Sequence, residues 1–252
     1  MLNYRFPAEY YNSIANVYDK MYEDVYWNIA RQQIKVTIEK HIFSMSGLSV
    51  IDIGGGTGYW SLWALKKGAK VLFVEPAQRM IEQAKDKLRK EMGMDLREVP
   101  IEFINRPAED LDFHLHFEEK FDVILLLGDV LSYVDNLEKT MENISRASKK
   151  GTLVFGTVDN YFSYLKDVII YGSWEDYNYL VNHRRLPVGS EYGTFEARAF
   201  EPVEIENIFE DYGFKMLDLT ALASMPSLES SIKYGKHFIF EAEHLFFVAK
   251  KV

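Results

Sequence analysis

Apolar residues follow two different periods along the chain, and the alternation between these periods indicates the fold. Within residues 8–43 they recur at helical spacing, which predicts two helices before the first strand. Farther along, short apolar runs predict strands and longer amphipathic stretches predict helices. The predicted order is strand 48–54, helix 59–68, strand 69–76, helix 77–93, strands 99–106 and 121–129, helix 136–151 and strand 151–159. Strands that alternate with helices are typical of a parallel α/β sheet with right-handed crossovers.

The alternation stops after residue 159. Residues 160–200 are rich in tyrosine, phenylalanine and tryptophan and show no further strand–helix unit. The pattern resumes with a helix at 201–214 and strands at 215–223 and 241–251, which predicts a doubly wound, mostly parallel seven-stranded sheet. We expect one domain over residues 1–252, made of an N-terminal helical segment (1–45), a core (46–158), a cap inserted after strand five (159–200) and a C-terminal part (201–252).

Composition narrows the class of partner. The 252 residues are 48% apolar and 15% aromatic, which suffices for a large core, and they carry a formal net charge of −9. An acidic chain is poorly suited to partners bound through phosphate neutralisation, so no nucleic-acid partner is expected. The absence of cysteine excludes disulfides, thiolate metal sites and cysteine nucleophiles. Neither a signal-peptide pattern nor an apolar run of about 18 residues occurs, so we expect a soluble cytoplasmic protein without a membrane span.

The stretch "VIDIGGGTGYW" at 50–60 holds the most specific chemistry. A short, mainly β-branched run leads into Gly54, Gly55, Gly56 and Gly58. Parallel sheets bind ligands beyond the carboxyl ends of their strands, and glycines let the backbone approach such a ligand closely. The P-loop pattern fails because no lysine follows the last glycine, and the dinucleotide pattern G-x-G-x-x-G lacks its third glycine. The pattern that fits is G-x-G-x-G preceded by an acid.

"VIDIGGGTG", in which Asp52 is that acid, resembles motif I of the class I S-adenosylmethionine-dependent methyltransferases. The resemblance implies a Rossmann-like fold, with S-adenosylmethionine as the cofactor bound by Asp52 and the four glycines. It also implies an acid at the end of the second strand, whose carboxylate accepts hydrogen bonds from the ribose hydroxyls. Glu75 stands at that position in "VLFVEP" and is followed by Pro76.

Two further segments agree with this resemblance. "RPAEDLDF" supplies Ala108 and Glu109 for the position beside the adenine. "LLLGDVLSYV" supplies Leu127 and Gly128 at the end of the fourth strand, on the substrate side of the cofactor. The order and spacing of these segments imply that the resemblance covers most of the chain.

"SIANVYDKMYE" at 13–23 is similar to the N-terminal helix of the methyltransferases of ubiquinone and menaquinone biosynthesis. In that type an A-x-x-Y-D element folds over the cofactor. Tyr11 and Tyr18 are therefore candidates for cofactor contacts, and equally for ordinary core aromatics on an amphipathic helix.

Methyl transfer from a sulfonium is an in-line displacement, so the protein mainly positions the acceptor and excludes water. Such an enzyme needs no strong catalytic signature, and the sequence shows none. Asp129, Tyr133 and His183 are the candidates to orient or deprotonate the acceptor. A turn role for Asp129 and a surface position for His183 are the plain alternatives. His114 and His116 have a spacing suited to a metal on a strand but lack an evident third ligand, so no metal site is expected.

The acceptor is expected to be a small or lipid-like molecule. Methyltransferases of exocyclic adenine amines and glutamine side chains carry N/D-P-P-Y/F after strand four, whereas this chain reads "LGDVLSY". The aromatic cap suits an apolar or planar substrate, and it suits a homodimer interface equally well. Two other classes stay open: an NAD-dependent oxidoreductase, against which the missing glycine argues, and a non-catalytic S-adenosylmethionine-binding regulator.

Overall fold

The computed structural model describes residues 6–111 and 120–252. The strands in these residues are β1 Ser49–Ile53, β2 Lys70–Val74, β3 Ile101–Ile104, β4 Phe121–Leu126, β5 Ser148–Asp159, β6 Arg185–Ser190, β7 Gly193–Arg198, β8 Phe214–Ala221 and β9 His244–Lys251. Seven of them form one sheet in the order β3-β2-β1-β4-β5-β9-β8. β1 to β5 pair in parallel, whereas β9 runs antiparallel to both of its neighbours. The predicted Rossmann-like, mostly parallel seven-stranded α/β sheet is confirmed.

Helices cover both faces of this sheet. In the described residues they are α1 Pro7–Ile14, α2 Tyr18–Met21, α3 Val25–His41, α4 Tyr59–Lys66, α5 Gln78–Met92, α6 Val130–Tyr133, α7 Leu137–Ala147, α8 Tyr161–Tyr171, α9 Trp174–His183, α10 Pro202–Asp211 and α11 Leu228–Tyr234. One buried apolar cluster joins the sheet to α7 and α10, and a second joins the opposite face to α3, α4 and α5. Because both faces are covered, the strands read as nearly continuous apolar runs rather than as an alternating pattern.

The N-terminal segment has three helices where the sequence predicts two. The additional element is α2, a single turn between α1 and α3. The long helix α3 begins at Val25 because the Asp24 side chain accepts the backbone N–H of Trp27 at 2.8 Å and caps the first turn. One predicted helix is thus divided by a local capping signal.

The aromatic segment after β5 contains α8, α9 and the antiparallel hairpin of β6 and β7. The sequence shows no further strand–helix unit there and predicts an inserted cap without assigning its elements. Asn160 caps α8, and Ser173 with Asp176 forms a capping box at the start of α9. The hairpin returns towards the N-terminal segment, where the rings of Phe195 and Tyr10 lie 5.1 Å apart. These capping residues were a usable signal in a stretch whose aromatic residues follow neither period clearly.

The remaining predicted boundaries differ by a few residues at most. The helix predicted at 136–151 ends at Ala147, because Ser148 already pairs with Phe121 of β4 and begins β5. No helix in the described parts of the chain is both long enough and apolar enough to cross a lipid bilayer.

Candidate functional site

A cavity of about 360 Å³ opens at the carboxyl edge of the sheet, where the strand order reverses between β1 and β4. Parallel α/β sheets bind ligands at this point, and the volume falls in the range of small-molecule sites. The cavity brings together most of the residues predicted to bind the cofactor. Those that line it are Tyr11, Tyr18, Gly54, Gly56, Glu75, Pro76, Ala108, Glu109, Leu127 and Gly128.

The loop after β1 reaches the cavity as bare backbone. Gly54 has a φ of +71°, and a Cβ added there would lie 2.6 Å from the side chain of Val130. A Cβ added at Gly55 would lie 2.4 Å from the ring of Phe73. Neither position has room for a side chain, so the glycines let the loop lie against the sheet. The backbone amides of Gly54 and Gly55 both donate to the carbonyl oxygen of Val74, at 2.8 and 3.1 Å, and hold the loop there.

The carboxylate of Glu75 is held in one orientation by two backbone amides. Oε2 accepts the N–H of Gly56 and Oε1 accepts the N–H of Ala77, each at 2.9 Å. Burial raises the pKa of this carboxyl to about 7, against the two N–H hydrogen bonds that lower it. A carboxylate has about four lone-pair sites, so both oxygens keep capacity for further hydrogen bonds from a ligand.

The 3₁₀ turn Ala108–Asp110 forms another wall of the cavity. The side-chain amide of Asn143 donates to the carbonyl oxygens of Ala108 and Glu109 at 2.9 and 3.0 Å, which fixes the turn. Oε1 of Glu109 accepts the backbone N–H of Asp135 at 2.9 Å. Glu109 therefore lines the cavity and at the same time ties this turn to the loop before α7.

Five rings form a continuous row, which we call the aromatic wall; its first three rings line the large cavity and its last two line a smaller neighbouring cavity. In order they are Tyr133, Tyr11, Tyr18, Tyr22 and Trp27, with centroid separations of 6.2, 6.1, 4.6 and 4.8 Å. Burial raises the pKa of Tyr133 well above its ordinary value and that of Tyr22 to about 12. These phenols are neutral near neutral pH, so Tyr133 can donate a hydrogen bond to a ligand but is a poor proton acceptor.

Three titratable side chains meet beyond the Trp27 end of the aromatic wall. Nδ1 of His244 lies 3.3 Å from Oδ2 of Asp129 and 3.2 Å from Oδ1 of Asp159. The His244 ring is 5.3 Å from that of Trp27, and Oδ2 of Asp159 accepts the hydroxyl hydrogen of Tyr164 at 2.8 Å. Burial lowers the pKa of His244, but the two carboxylates outweigh burial and raise it well above its usual range.

Sheet topology explains why these three residues meet. Asp159 ends β5, His244 begins β9, and the antiparallel register pairs the two residues directly. Asp129 follows β4, the other neighbour of β5, and its N–H donates to Oγ1 of Thr157 at 3.0 Å. Sequence reasoning found Asp129 but missed Asp159 and His244. Asp159 at the end of β5 and His244 at the start of β9 were the sequence features that could have indicated this cluster.

Residues 26–219 match the family model described as "Methyltransferase domain". The chain belongs to this methyltransferase family. The match covers well over half of the chain, and it confirms the predicted class, the class I S-adenosylmethionine-dependent methyltransferases, together with the predicted cofactor of that class.

Relatives of this methyltransferase agree with the assignment. The ubiquinone biosynthesis O-methyltransferase of Coxiella burnetii is 27% identical over 192 residues, which cover 75% of this chain and 72% of the relative. An S-adenosylmethionine-dependent methyltransferase from Clostridium acetobutylicum has a TM-score of 0.63 at 17% identity, covering 96% of this chain and 98% of its own. Magnesium protoporphyrin IX methyltransferase from Synechocystis with bound S-adenosylhomocysteine has a TM-score of 0.66 at 15% identity, covering 97% of both chains. The two solved structures share the fold.

Three predicted cofactor residues of the methyltransferase lie outside the lining of the large cavity. Asp52 is fully buried beneath the glycine loop and accepts the hydroxyl hydrogen of Ser61 at 2.6 Å. Gly58 precedes the first residue of α4, where an added Cβ would lie 3.0 Å from Ala84 of α5. Gly55 lines a smaller neighbouring cavity of about 70 Å³. Asp52 thus supports the loop from the interior of the protein, and Gly58 lets the loop pack closely against α5.

The catalytic candidates are placed unequally. Tyr133 lines the cavity and Asp129 lies in the buried cluster next to it. His183 is exposed at the end of α9, with its ring 4.6 Å from that of Tyr179, and it does not line the cavity. The segment with His114 and His116 lies outside the described residues. The catalytic roles of Asp129, Tyr133 and His183 stay predictions.

Asp19 of the A-x-x-Y-D element fastens the N-terminal segment onto the glycine loop. Its Oδ1 accepts the hydroxyl hydrogen of Thr57 at 2.5 Å, and its Oδ2 lies 2.7 Å from Nζ of Lys87. Lys87 also donates to Thr57 at 2.9 Å. These contacts hold α2, and with it Tyr18, over the cavity.

Gly55→Ala is expected to lower the free energy of unfolding by about 1–3 kcal/mol, the usual range for overpacking a tight core. The reason is the contact of the new Cβ with the Phe73 ring, since the backbone at Gly55 does not have a positive φ. Urea unfolding of the single variant, of Phe73→Leu and of the double variant measures the coupling. If the two effects were simply additive, this contact would not be the reason for the glycine.

Proposed function

We propose that this methyltransferase transfers the methyl group of S-adenosylmethionine to a small or lipid-like acceptor. The observation that carries the proposal is the cavity at the strand-order reversal, into which Glu75 is turned by two backbone amides. A ribose offers two adjacent hydroxyl donors, and this fixed carboxylate offers two acceptor oxygens.

The residues around the cavity suit the other parts of the cofactor. The bare backbone of Gly54 and Gly56 in the cavity wall permits close approach of the polar end of the ligand. The turn with Ala108 and Glu109, together with Leu127, suits the flat adenine. The bound cofactor supplies a methyl group on a sulfonium, which is already activated for displacement.

The aromatic wall supports an apolar or planar acceptor. Tyr133, Tyr11 and Tyr18 of this wall line the cavity, and their packed rings would exclude water from a bound acceptor on that side. Tyr133 is a neutral phenol in this wall and would orient a polar group of the acceptor by hydrogen bonding. Asp129 lies close by, in the buried cluster.

The net charge of the chain and its similarity to known methyltransferases both support a small acceptor over a nucleic acid. A net charge of −9 works against phosphate-based binding. The Coxiella relative is a ubiquinone biosynthesis O-methyltransferase, and the Synechocystis neighbour is a magnesium protoporphyrin IX methyltransferase. The expected cytoplasmic location and the possible homodimer stay predictions.

Incubation of the purified protein with methyl-labelled S-adenosylmethionine and a cell extract tests this proposal. We expect label in the organic-soluble or small-molecule fraction, and much less of it with a Glu75→Ala variant at a cofactor concentration below the dissociation constant of that variant. Label in protein or RNA would show a macromolecular acceptor instead. Calorimetric binding of the cofactor without label in any fraction would indicate a non-catalytic binding protein, and no binding at millimolar cofactor would contradict the proposal altogether.

A further inference from the structure

We propose that Asp129, Asp159 and His244 bind one divalent transition-metal ion. The three side chains each offer one ligand atom, and these atoms all lie within 4.8 Å of one another. The sequence analysis expects no metal, and this cluster is the reason for departing from that prediction. None of these three residues lines the cavity on which the proposed function rests. The ion site therefore does not depend on the class of the acceptor.

The distances in the cluster fit ligands that converge on a common ion. Nδ1 of His244 is 3.3 Å from an oxygen of Asp129 and 3.2 Å from an oxygen of Asp159. Two ligands at roughly 2.1 Å from one ion, at tetrahedral or octahedral angles, are separated by about 3.0–3.4 Å. The observed separations therefore suit an ion with little rearrangement.

Hydrogen bonding within the described residues leaves this cluster incomplete. Oδ1 of Asp129 is buried without a hydrogen-bond partner there, although Asp129 is only 3% exposed. Nδ1 of His244 faces both carboxylates, yet it has no well-aligned hydrogen bond to either of them. A nitrogen that faces two carboxylates without bonding well to either, next to an orphan carboxylate oxygen, is expected where these atoms are ligands of an absent cation.

The charge in the cluster also calls for a cation. Two buried carboxylates face a single imidazole, and in residues 6–111 and 120–252 neither carboxylate forms an ion pair with a lysine or an arginine. Buried charges are strongly unfavourable unless they are paired or coordinate a metal. A divalent ion would balance both carboxylates, which one imidazolium cannot do.

The donor set indicates which ions fit. Mg²⁺ and Ca²⁺ prefer sites made only of oxygen ligands, whereas imidazole suits Zn²⁺ and other transition metals. Two carboxylates and one imidazole therefore favour Zn²⁺ or Mn²⁺ over Mg²⁺. Three protein ligands leave a coordination position open, as in catalytic zinc sites.

The cluster lies next to the ligand side of the molecule. The cavity of about 70 Å³ is lined by Tyr22, Trp27, Gly128 and Thr157, and it shares Tyr18 and the glycine loop with the large cavity. Thr157 accepts a hydrogen bond from the amide of Asp129, and Trp27 packs on His244, so two residues of this lining contact the cluster. An ion in the cluster would therefore lie directly behind this part of the cavity wall.

Titration of the chelator-treated protein with Mn²⁺, followed by the loss of the free-ion electron paramagnetic resonance signal, tests the site directly. Calorimetry with Zn²⁺ and Mg²⁺ gives the order of affinity. We expect one ion per chain, with Mg²⁺ at least about tenfold weaker. Asp159→Asn and Asp129→Asn keep the side-chain volume, and each should weaken binding about 100-fold or more, because loss of supporting residues alone weakens metal sites 10–100-fold.

Circular dichroism and calorimetry with S-adenosylhomocysteine show whether each variant is folded. His41→Ala is the matched control for adventitious surface binding, since His41 is exposed, and it should bind the ion as the unmodified protein does. The ion site would be overturned if the protein showed no saturable binding of Mn²⁺ and Zn²⁺. It would also be overturned if both asparagine variants bound the ion as tightly as the unmodified protein does. Retained binding of S-adenosylhomocysteine in the same samples would show that the proposed cofactor function survives that result.

Discussion

Replacing Glu75 with alanine is expected to weaken binding of S-adenosylmethionine by about 10- to 150-fold, or 1.5–3 kcal/mol, the range for hydrogen bonds to charged groups. Both carboxylate oxygens are fixed by the amides of Gly56 and Ala77 and turned into the cavity. A ligand hydroxyl therefore meets an acceptor that is already oriented, and little conformational freedom is lost on binding. Calorimetry with S-adenosylmethionine and S-adenosylhomocysteine measures the effect.

Glu98→Ala is the control for this experiment, because Glu98 is exposed and does not line the cavity. Its variant should bind the cofactor with unchanged affinity. Urea unfolding of both variants separates lost contacts from lost structure. Unchanged affinity in a folded Glu75→Ala protein would show that this carboxylate does not hold the ribose.

The second large effect concerns the dependence of stability on pH. Burial raises the pKa of Asp52 to about 6, only partly offset by hydrogen bonds from Ser61. Between pH 4 and pH 6 the folded state therefore binds more protons at this carboxyl than the unfolded state does. The free energy of unfolding consequently falls as pH rises through that window. The total fall is about 3 kcal/mol, because the pKa of Asp52 is about two units higher in the folded state than in the unfolded state.

Asp52→Asn removes this titration. Relative to the unmodified protein, the variant should gain about 3 kcal/mol of unfolding free energy between pH 4 and pH 7. Glu75 also has a raised pKa, mainly through its own burial, and only the small contribution from the charge of Asp52 differs between the two proteins. Urea unfolding across this pH range measures the effect, with the exposed Asp86→Asn as control. If the difference in unfolding free energy between Asp52→Asn and the unmodified protein did not change with pH, the raised pKa of Asp52 would be contradicted.

The residues of the large cavity could be placed from sequence because the signals that place them are local, while their contacts with the cofactor stay predictions. Glu75 ends a recognisable strand, and the glycine loop follows another, so both must lie at the carboxyl edge of a parallel sheet. The topology rule places them together without any knowledge of side-chain packing. Asp52 and Gly58 lie outside the cavity lining, where they support the loop, and Gly55 lines the smaller neighbouring cavity.

The positions of His244 and His183 could not be predicted from local sequence signals in the same way. His244 reaches the site only because β9 runs antiparallel beside β5, and an apolar run carries no information on strand direction. His183 is a sequence candidate for the acceptor, yet it lies exposed at the end of α9. The cap hairpin was not predicted because the aromatic residues of the cap follow neither period clearly. Long-range pairing, not local propensity, decides these placements.

The antiparallel insertion of β9 also sets an order of assembly. The residues that line the large cavity all precede residue 136, whereas His244 follows more than a hundred residues later. Chains fold from the N-terminal side during synthesis, and β9 must enter between two strands that are made before it. His244 therefore joins the Asp129–Asp159 pair only once β9 has entered the sheet, so the complete three-residue cluster requires the finished sheet.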